Sequence, residues 1–169
     1  ENKTSVYQFY QFWFNVDDDS VGDYLKVFTE LDKDKIGKIM REFEADKSGR
    51  LAQKTLAYEV TKIVHGENRA KSVVKVTEVL FGSADANDLN QSDVDLLADE
   101  IPILEASGSL IKTLVESNLA SSNSEATRFI SEGSVSINGR KVGGTEDTFE
   151  SGYSLLRRGK NSFALVKSQ

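Results

Sequence analysis

An α+β fold is expected, with an all-α helical domain over residues 1–98 followed by a small α+β domain over 103–169 that carries a short antiparallel or mixed sheet. Three observations predict it. Apolar residues recur at helical spacing through the first hundred positions, with capping residues between the runs. Period-two alternation begins only at Val135 and Ile137, set between Ser134 and Ser136. Asn138-Gly139 then supplies the pair preferred in a type I′ hairpin turn, where both central residues take positive φ.

The first helix starts at Ser5 and Gln8, which have capping-box spacing, and Gln8, Gln11 and Asn15 form its one polar stripe. Its remaining residues from Val6 to Phe14 are apolar or aromatic, so burial from several sides is expected. Asp17-Asp18-Asp19 is helix-start chemistry ahead of Val21, Tyr24, Leu25, Val27 and Phe28. Asp32 caps a helix carrying Ile36, Ile39, Met40 and Phe43, and Ser48-Gly49 breaks the pattern. Leu51, Ala52, Leu56, Val60 and Ile63 mark a longer helix that stops near His65-Gly66. The next runs from about Glu67 to Leu80 and ends at Gly82. Residues 83–91 read as a polar loop, followed by a short helix near 92–97 and the single proline, Pro102.

In the second part Leu110, Ile111, Leu114 and Val115 define a helix. Ser122 and Glu125 form a capping box for another, with Ala126, Phe129 and Ile130 apolar and Gly133 placed to stop it in a left-handed conformation. After the hairpin and a Gly-Gly-Thr-Glu-Asp loop, residues 153–156 and 163–166 read as two strands. The basic segment Arg157-Arg158-Gly159-Lys160-Asn161 is the turn between them.

With 38% hydrophobic and 28% charged residues the chain is globular, and no apolar run is long enough to cross a bilayer. It has no cysteine, which removes disulfides, thiol catalysis and thiolate metal sites and fits a cytoplasmic location. The net charge of −6 is unevenly placed. Residues 1–100 carry 13 basic against 20 acidic side chains, whereas from Gly133 onward there are 6 basic and 3 acidic. A basic patch on an acidic chain is compatible with a local phosphate contact.

Several sharper readings fail on their residues. Carboxylates at 17–19 serve a helix N-terminus better than a metal, and no metal site is expected. Residues 44–49 have the acidic spacing of a calcium loop, but the twelfth position is Thr55 where a bidentate Glu is needed. His65, the one histidine, sits at a helix end where an imidazole can cap carbonyls, and no triad surrounds it. Phosphate-loop, dinucleotide and zinc motifs are absent.

The segment 122–142 resembles the small RNA-binding domain named after ribosomal protein S four, which sets a helix and an Asn-Gly hairpin against RNA phosphates. The string from Asn2 to Asn15, the stretch from Ala52 to Val64-His65-Gly66, and Leu156-Arg157-Arg158-Gly159-Lys160 together resemble bacterial-type tyrosyl-tRNA synthetases beyond their catalytic domain. The resemblance covers most of the chain. It implies an anticodon-binding helical domain followed by an S-four-type domain, with tRNA(Tyr) as partner, and a class I ligase as the parent protein. The family's His-x-Gly-His-like motif and Lys-Met-Ser-Lys-Ser loop are not in this sequence. The fragment is therefore expected to use no cofactor and to be inactive alone. The parent would use ATP with Mg and tyrosine, and would dimerise through the missing domain while the fragment stays monomeric.

Residue by residue, the resemblance points to Asp18 as acceptor for the guanine that begins the anticodon, and to Arg157, Arg158 and Lys160 as tRNA contacts. Asn161 falls near the middle anticodon base. Lys112, Ser122, Arg128, Asn138, Arg140 and Lys141 complete the candidate RNA-binding set. Asn123, Ser124 and Thr127 stand where relatives often carry Lys or Arg, so the capped helix should add less charge. Two other classes remain open: a different S-four-type protein, such as a pseudouridine synthase or ribosome-associated factor, and a protein-interaction module.

Overall fold

The computed structural model describes residues 4–82 and 84–169. Ser5 opens helix α1 (Val6–Phe14), its hydroxyl accepting the Gln8 N–H at 3.1 Å. The expectation of burial from several sides is corrected here: Val6 and Tyr10 are buried, but Phe12 is 68% exposed and Trp13 and Phe14 are only half-buried. A later helix covers one side and the rings of Tyr24 and Phe28 meet Trp13, which leaves Phe12 as the aromatic at the surface.

Helix α2 (Val21–Phe28) has no side-chain cap at Ser20; instead Asp17 accepts the Ser20 N–H at 2.8 Å and closes the turn ahead of the helix. Asp32 caps α3 (Lys33–Ala45) by accepting from Lys35. A 3₁₀ turn (Lys47–Gly49) and the left-handed Arg50, φ 52°, lead into α4 (Leu51–His65). Arg50 is held there because its guanidinium donates to the Phe14 carbonyl at 2.7 Å and lies over the Phe14 ring. Helix α4 is the centre of this unit. Its buried Ala52, Leu56 and Val60 join Val21, Leu25, Ile36, Ile39 and Phe43 in one core, with Phe9 and Trp13 packed on the edge. Ile63, expected among the core positions, is 49% exposed, because at this end of α4 it is His65 that turns towards α1 and meets Phe9.

Helix α5 spans Glu67–Phe81, and the chain divides into two compact units inside it, between Val74 and Lys75. The sequence suggests a change of domain at 98–103. Compactness places it earlier because residues 75–98 pack on the C-terminal sheet. Lys75 pairs with the buried Asp93 at 3.2 Å, Phe81 meets Phe163 edge-on at 5.3 Å, and Asn87 accepts the Tyr153 N–H at 2.8 Å. The expected polar loop at 83–91 contains a 3₁₀ turn (Ala86–Asp88) with Ala86 and Leu89 buried. Helix α6 (Gln91–Ala98) follows, with a reciprocal Asn90–Asp93 capping box.

The sheet of this second unit runs in the order β1 (Ile103–Glu105), β5 (Ser162–Ser168), β4 (Gly152–Arg158), β2 (Val135–Ile137), β3 (Arg140–Lys141). β1 pairs parallel to β5 and the other neighbours are antiparallel. β1 has no signature in the sequence, since three residues are too few to show alternation. Helices α7 (Leu110–Glu116) and α8 (Asn123–Ser131) cover one face. There Leu110, Leu114, Ala126 and Ile130 meet Val135, Ile137, Leu156, Ala164 and Val166.

Helix α8 ends as its sequence requires. Gly133 is left-handed at φ 65°, its N–H reaches the Ile130 carbonyl, and the Ser134 N–H reaches that of Phe129, which is a Schellman closure. At the other end one detail differs. Ser122 accepts from the Glu125 N–H, but the Glu125 carboxylate returns to the N–H and hydroxyl of Ser121, at 2.7 and 2.6 Å, rather than to Ser122. Asn138 and Gly139 take φ 48° and 77°, the two positive values that a type I′ turn needs.

Candidate nucleic-acid interface

The cationic side chains are sorted by strand register. Residues directly opposite one another in neighbouring antiparallel strands point to the same face. Lys141 pairs with Ser136, Ser136 with Arg157, and Arg157 with Phe163, so these four form one rung across four strands. Lys141 and Arg157 are then about 9.5 Å apart, two strand spacings. The next residue, Arg158, must face the other way, towards α8.

The basic segment is thus not one cluster. Arg157 and Arg158 belong to β4, and the turn itself is only Gly159-Lys160-Asn161. Arg157 braces that turn: Nε donates to the Gly159 carbonyl and Nη2 to that of Lys160, both at 2.9 Å, while the guanidinium lies over the Phe163 ring at 5.4 Å. Lys160 and Asn161 project at its exposed tip. Arg158 sits over Phe129 at 5.0 Å, and Arg128 approaches the same ring at 5.1 Å. Phe129 therefore brings two guanidiniums together, an arrangement favourable to each through the ring quadrupole. Glu125 accepts from Arg128 at 3.3 Å. Its carboxyl is held below the usual carboxylate range, first by the Ser121 hydroxyl and N–H and then by the charges of Arg128 and Arg158.

The remaining candidates are placed differently. Arg140 and Lys141 are exposed on the edge strand. Asn138 is committed inside the fold, its Oδ1 accepting the Leu155 N–H at 2.7 Å and its own N–H bonding the Leu155 carbonyl at 2.9 Å. The Ser122 hydroxyl is the cap of α8. Lys112 pairs with Glu116 along α7 at 3.5 Å. Asp18 belongs to the first unit, where the buried amide of Gln53 donates to its Oδ1 at 2.7 Å. His65 does not cap carbonyls as expected. Its ring stands edge-on to Phe9 at 4.9 Å, Nε2 is buried with no hydrogen-bond partner, and burial, then the charge of Arg69, lowers its pKa. Among the described residues no group of three or more His, Cys, Asp or Glu side chains could hold a metal ion, and no helix is long and apolar enough to cross a membrane.

Comparison with known proteins gives this arrangement a lineage. The family model for the tyrosine–tRNA ligase SYY-like C-terminal domain matches residues 93–166, and that for class I tRNA synthetases (W and Y) matches residues 1–82. The chain belongs to the tyrosyl-tRNA synthetase family. Tyrosine–tRNA ligase 2 of Bacillus cereus is 38% identical over 98% of this chain and 41% of its own length. Tyrosine–tRNA ligase of Geobacillus stearothermophilus is 36% identical over 99% of this chain and 42% of its own. A C-terminally truncated mitochondrial tyrosyl-tRNA synthetase from Aspergillus nidulans is 46% identical over 41% of this chain and 19% of that one, with a TM-score of 0.41. The chain thus spans about two-fifths of the length of the curated relatives it matches.

Sequence reasoning missed the residues that hold candidate side chains in this synthetase-family chain: Gln53 in the first unit, and Phe129 and Phe163 in the second. Phe129 and Phe163 occur as ordinary apolar positions, and only the register of β4 against β2 and β5 brings Arg158 to the one and Arg157 to the other. Gln53 lies in the first turn of α4 like any polar helix residue, and its burial appears only when α4 becomes the central helix.

Proposed function

We propose that this chain is the tRNA-binding portion of a tyrosine–tRNA ligase, recognising the anticodon region and variable arm of tRNA(Tyr). The observation that carries the reading is the paired placement of cations within the matched C-terminal domain: Lys141 with Arg157 on one rung, and Arg128 with Arg158 on Phe129. Planar guanidiniums braced on rings, with lysines at an exposed edge, suit phosphate oxygens. In this reading Arg157, Arg158, Lys160, Arg140, Lys141, Arg128 and Lys112 contact the RNA backbone, with Ser122 beside them. Asp18 reads the first anticodon base, Asn161 lies near the middle one, and Asn138 shapes the hairpin.

Aminoacylation belongs to the full-length protein, which would take ATP with Mg and tyrosine, dimerise through its catalytic domain and act in the cytoplasm. This chain alone carries neither adenylate-forming signature, so it should not stabilise the phosphoryl transition state of tyrosine activation. It is expected to be a monomer. The test is titration with tRNA(Tyr), an anticodon-altered tRNA(Tyr) and an unrelated tRNA at several salt concentrations. Tightest binding to the first, with steep salt dependence, is expected. Equal, salt-insensitive binding to all three would remove the reading, and tyrosine-dependent ATP–pyrophosphate exchange by the pure chain would contradict the assignment of catalysis elsewhere.

A further inference from the structure

Within the second unit a recess of about 250 Å³ opens between the end of α5 and the Asn138-Gly139 turn, and none of the tRNA contacts above assigns it a ligand. Its apolar walls come from Leu80, Ala86 and Leu155, with Ala84 exposed at the margin. Gly139 adds bare backbone, and Arg157 closes one side. We propose that this recess receives one unstacked nucleobase of the bound RNA.

Three features of the recess and its surroundings select a base over other occupants. The volume falls below the roughly 300–1,000 Å³ of pockets for drug-sized ligands, which suits a single flat heterocycle. Arg157 is preorganised, because its Nε and Nη2 are fixed on the turn carbonyls and its plane rests on Phe163. It offers a guanidinium face for stacking, and Nη1 for a ring nitrogen or carbonyl oxygen, with little side-chain entropy left to lose. The segments 133–142 and 152–163, which supply the hairpin and this part of the sheet, carry Arg140, Lys141, Arg157, Arg158 and Lys160 and no acidic residue. A nucleotide whose base enters the recess would find Lys141 on the rung of Arg157 for its phosphate. The half-exposed Phe81, edge-on to Phe163, gives a neighbouring base a second apolar surface.

The inference rests on the tRNA-binding reading, and its test separates the two. Ala84→Trp fills the mouth of the recess from an exposed position and replaces none of the proposed phosphate-contacting side chains. Wild type and Ala84→Trp are titrated with tRNA(Tyr) in which each unpaired base of the anticodon loop and variable arm is replaced in turn by an abasic site. One abasic position should weaken wild-type binding by about 5- to 150-fold, the worth of one stacked base. Ala84→Trp should show the same loss with intact tRNA and no further loss at that position. As a measurement independent of the variant's folding, 2-aminopurine at that position should become shielded from acrylamide when wild type binds. Wild-type binding that no abasic site weakens, an Ala84→Trp protein with full affinity, or an unshielded 2-aminopurine would each overturn the recess while leaving tRNA binding intact. Failure of wild type to bind tRNA at all would overturn both.

Discussion

The side-chain amide of Gln53 donates to Oδ1 of Asp18 at 2.7 Å, although Gln53 is fully buried on α4 and Asp18 lies exposed 35 residues earlier. The bond fixes which way the carboxylate points and also fixes the amide, since the reversed amide would set two oxygens together. The cost is the Gln53 Oε1 atom, buried with no partner. Removing Asp18 should therefore do more than delete a base contact. Asp18→Ala leaves a buried donor unmet and should cost roughly 1–3 kcal/mol of stability. Gln53→Leu removes both buried polar atoms and should change stability far less, and the double variant should recover most of the Asp18→Ala loss. Urea unfolding of the four proteins gives the cycle. If the double variant is as unstable as Asp18→Ala, the orphaned amide is not the cause.

In the same set of proteins, Asp18→Ala should lose on the order of 1–3 kcal/mol against the correct first anticodon base and leave anticodon-altered tRNA nearly unaffected. Equal losses for both RNAs would leave Asp18 with its structural bond to Gln53 and no role in reading sequence.

Because Arg157 and Arg158 face opposite sides of the sheet, their contributions should separate. Arg128→Ala and Arg158→Ala share Phe129 and should couple by about 0.5–3 kcal/mol in tRNA affinity, whereas Arg157→Ala with Arg158→Ala should add almost independently. Each lost phosphate contact should lower the slope of log K against log salt by roughly 0.7–0.9. Additivity of the Arg128 and Arg158 changes would deny that the shared ring joins them. Asn123, Ser124 and Thr127 carry no charge, and their replacement by Ala should leave the slope unchanged.

The cap of α8 is testable without RNA. Ser122→Ala removes the acceptor for the Glu125 N–H and should cost about 1 kcal/mol. The Glu125 carboxyl is held below the ordinary glutamate value of 4.5 chiefly by Ser121, so its contribution is present above that pH and lost as pH falls through the lowered value. Ser121→Ala should flatten this acid limb of stability. An unchanged limb would move the effect to another carboxylate.

His65 titrates in the opposite chemical sense but with the same outcome on acidification. Its folded pKa lies below 6.5, so the unfolded chain takes up the proton first and stability falls as pH drops below that value towards the folded pKa. His65→Gln should remove this loss between neutral and mildly acidic pH. Thermal unfolding at a series of pH values checks it, and a His65→Gln curve parallel to wild type would rule the imidazole out.

The sequence by itself determined whatever is decided within a few residues of chain. Ser5 and Gln8, Asp32 and Lys35, the Schellman end at Gly133 and the positive φ values of Asn138 and Gly139 all arise from bonds spanning no more than five positions. Their residue types state the geometry outright, and with them came the order of helices, the hairpin and the α+β class. The strands flanking Gly159 were legible from alternation, but their length was not, so Arg157 and Arg158 were read as parts of one turn. Tertiary structure alone decided the sidedness of the cations, because a strand's faces acquire meaning only when its register against neighbours is set. It also decided the parallel pairing of β1 with β5, the attachment of Asn87 to Tyr153 across 66 residues and the bond from Gln53 to Asp18. Those partners meet only after the chain has collapsed, and nothing in their local sequence records which distant group will be waiting.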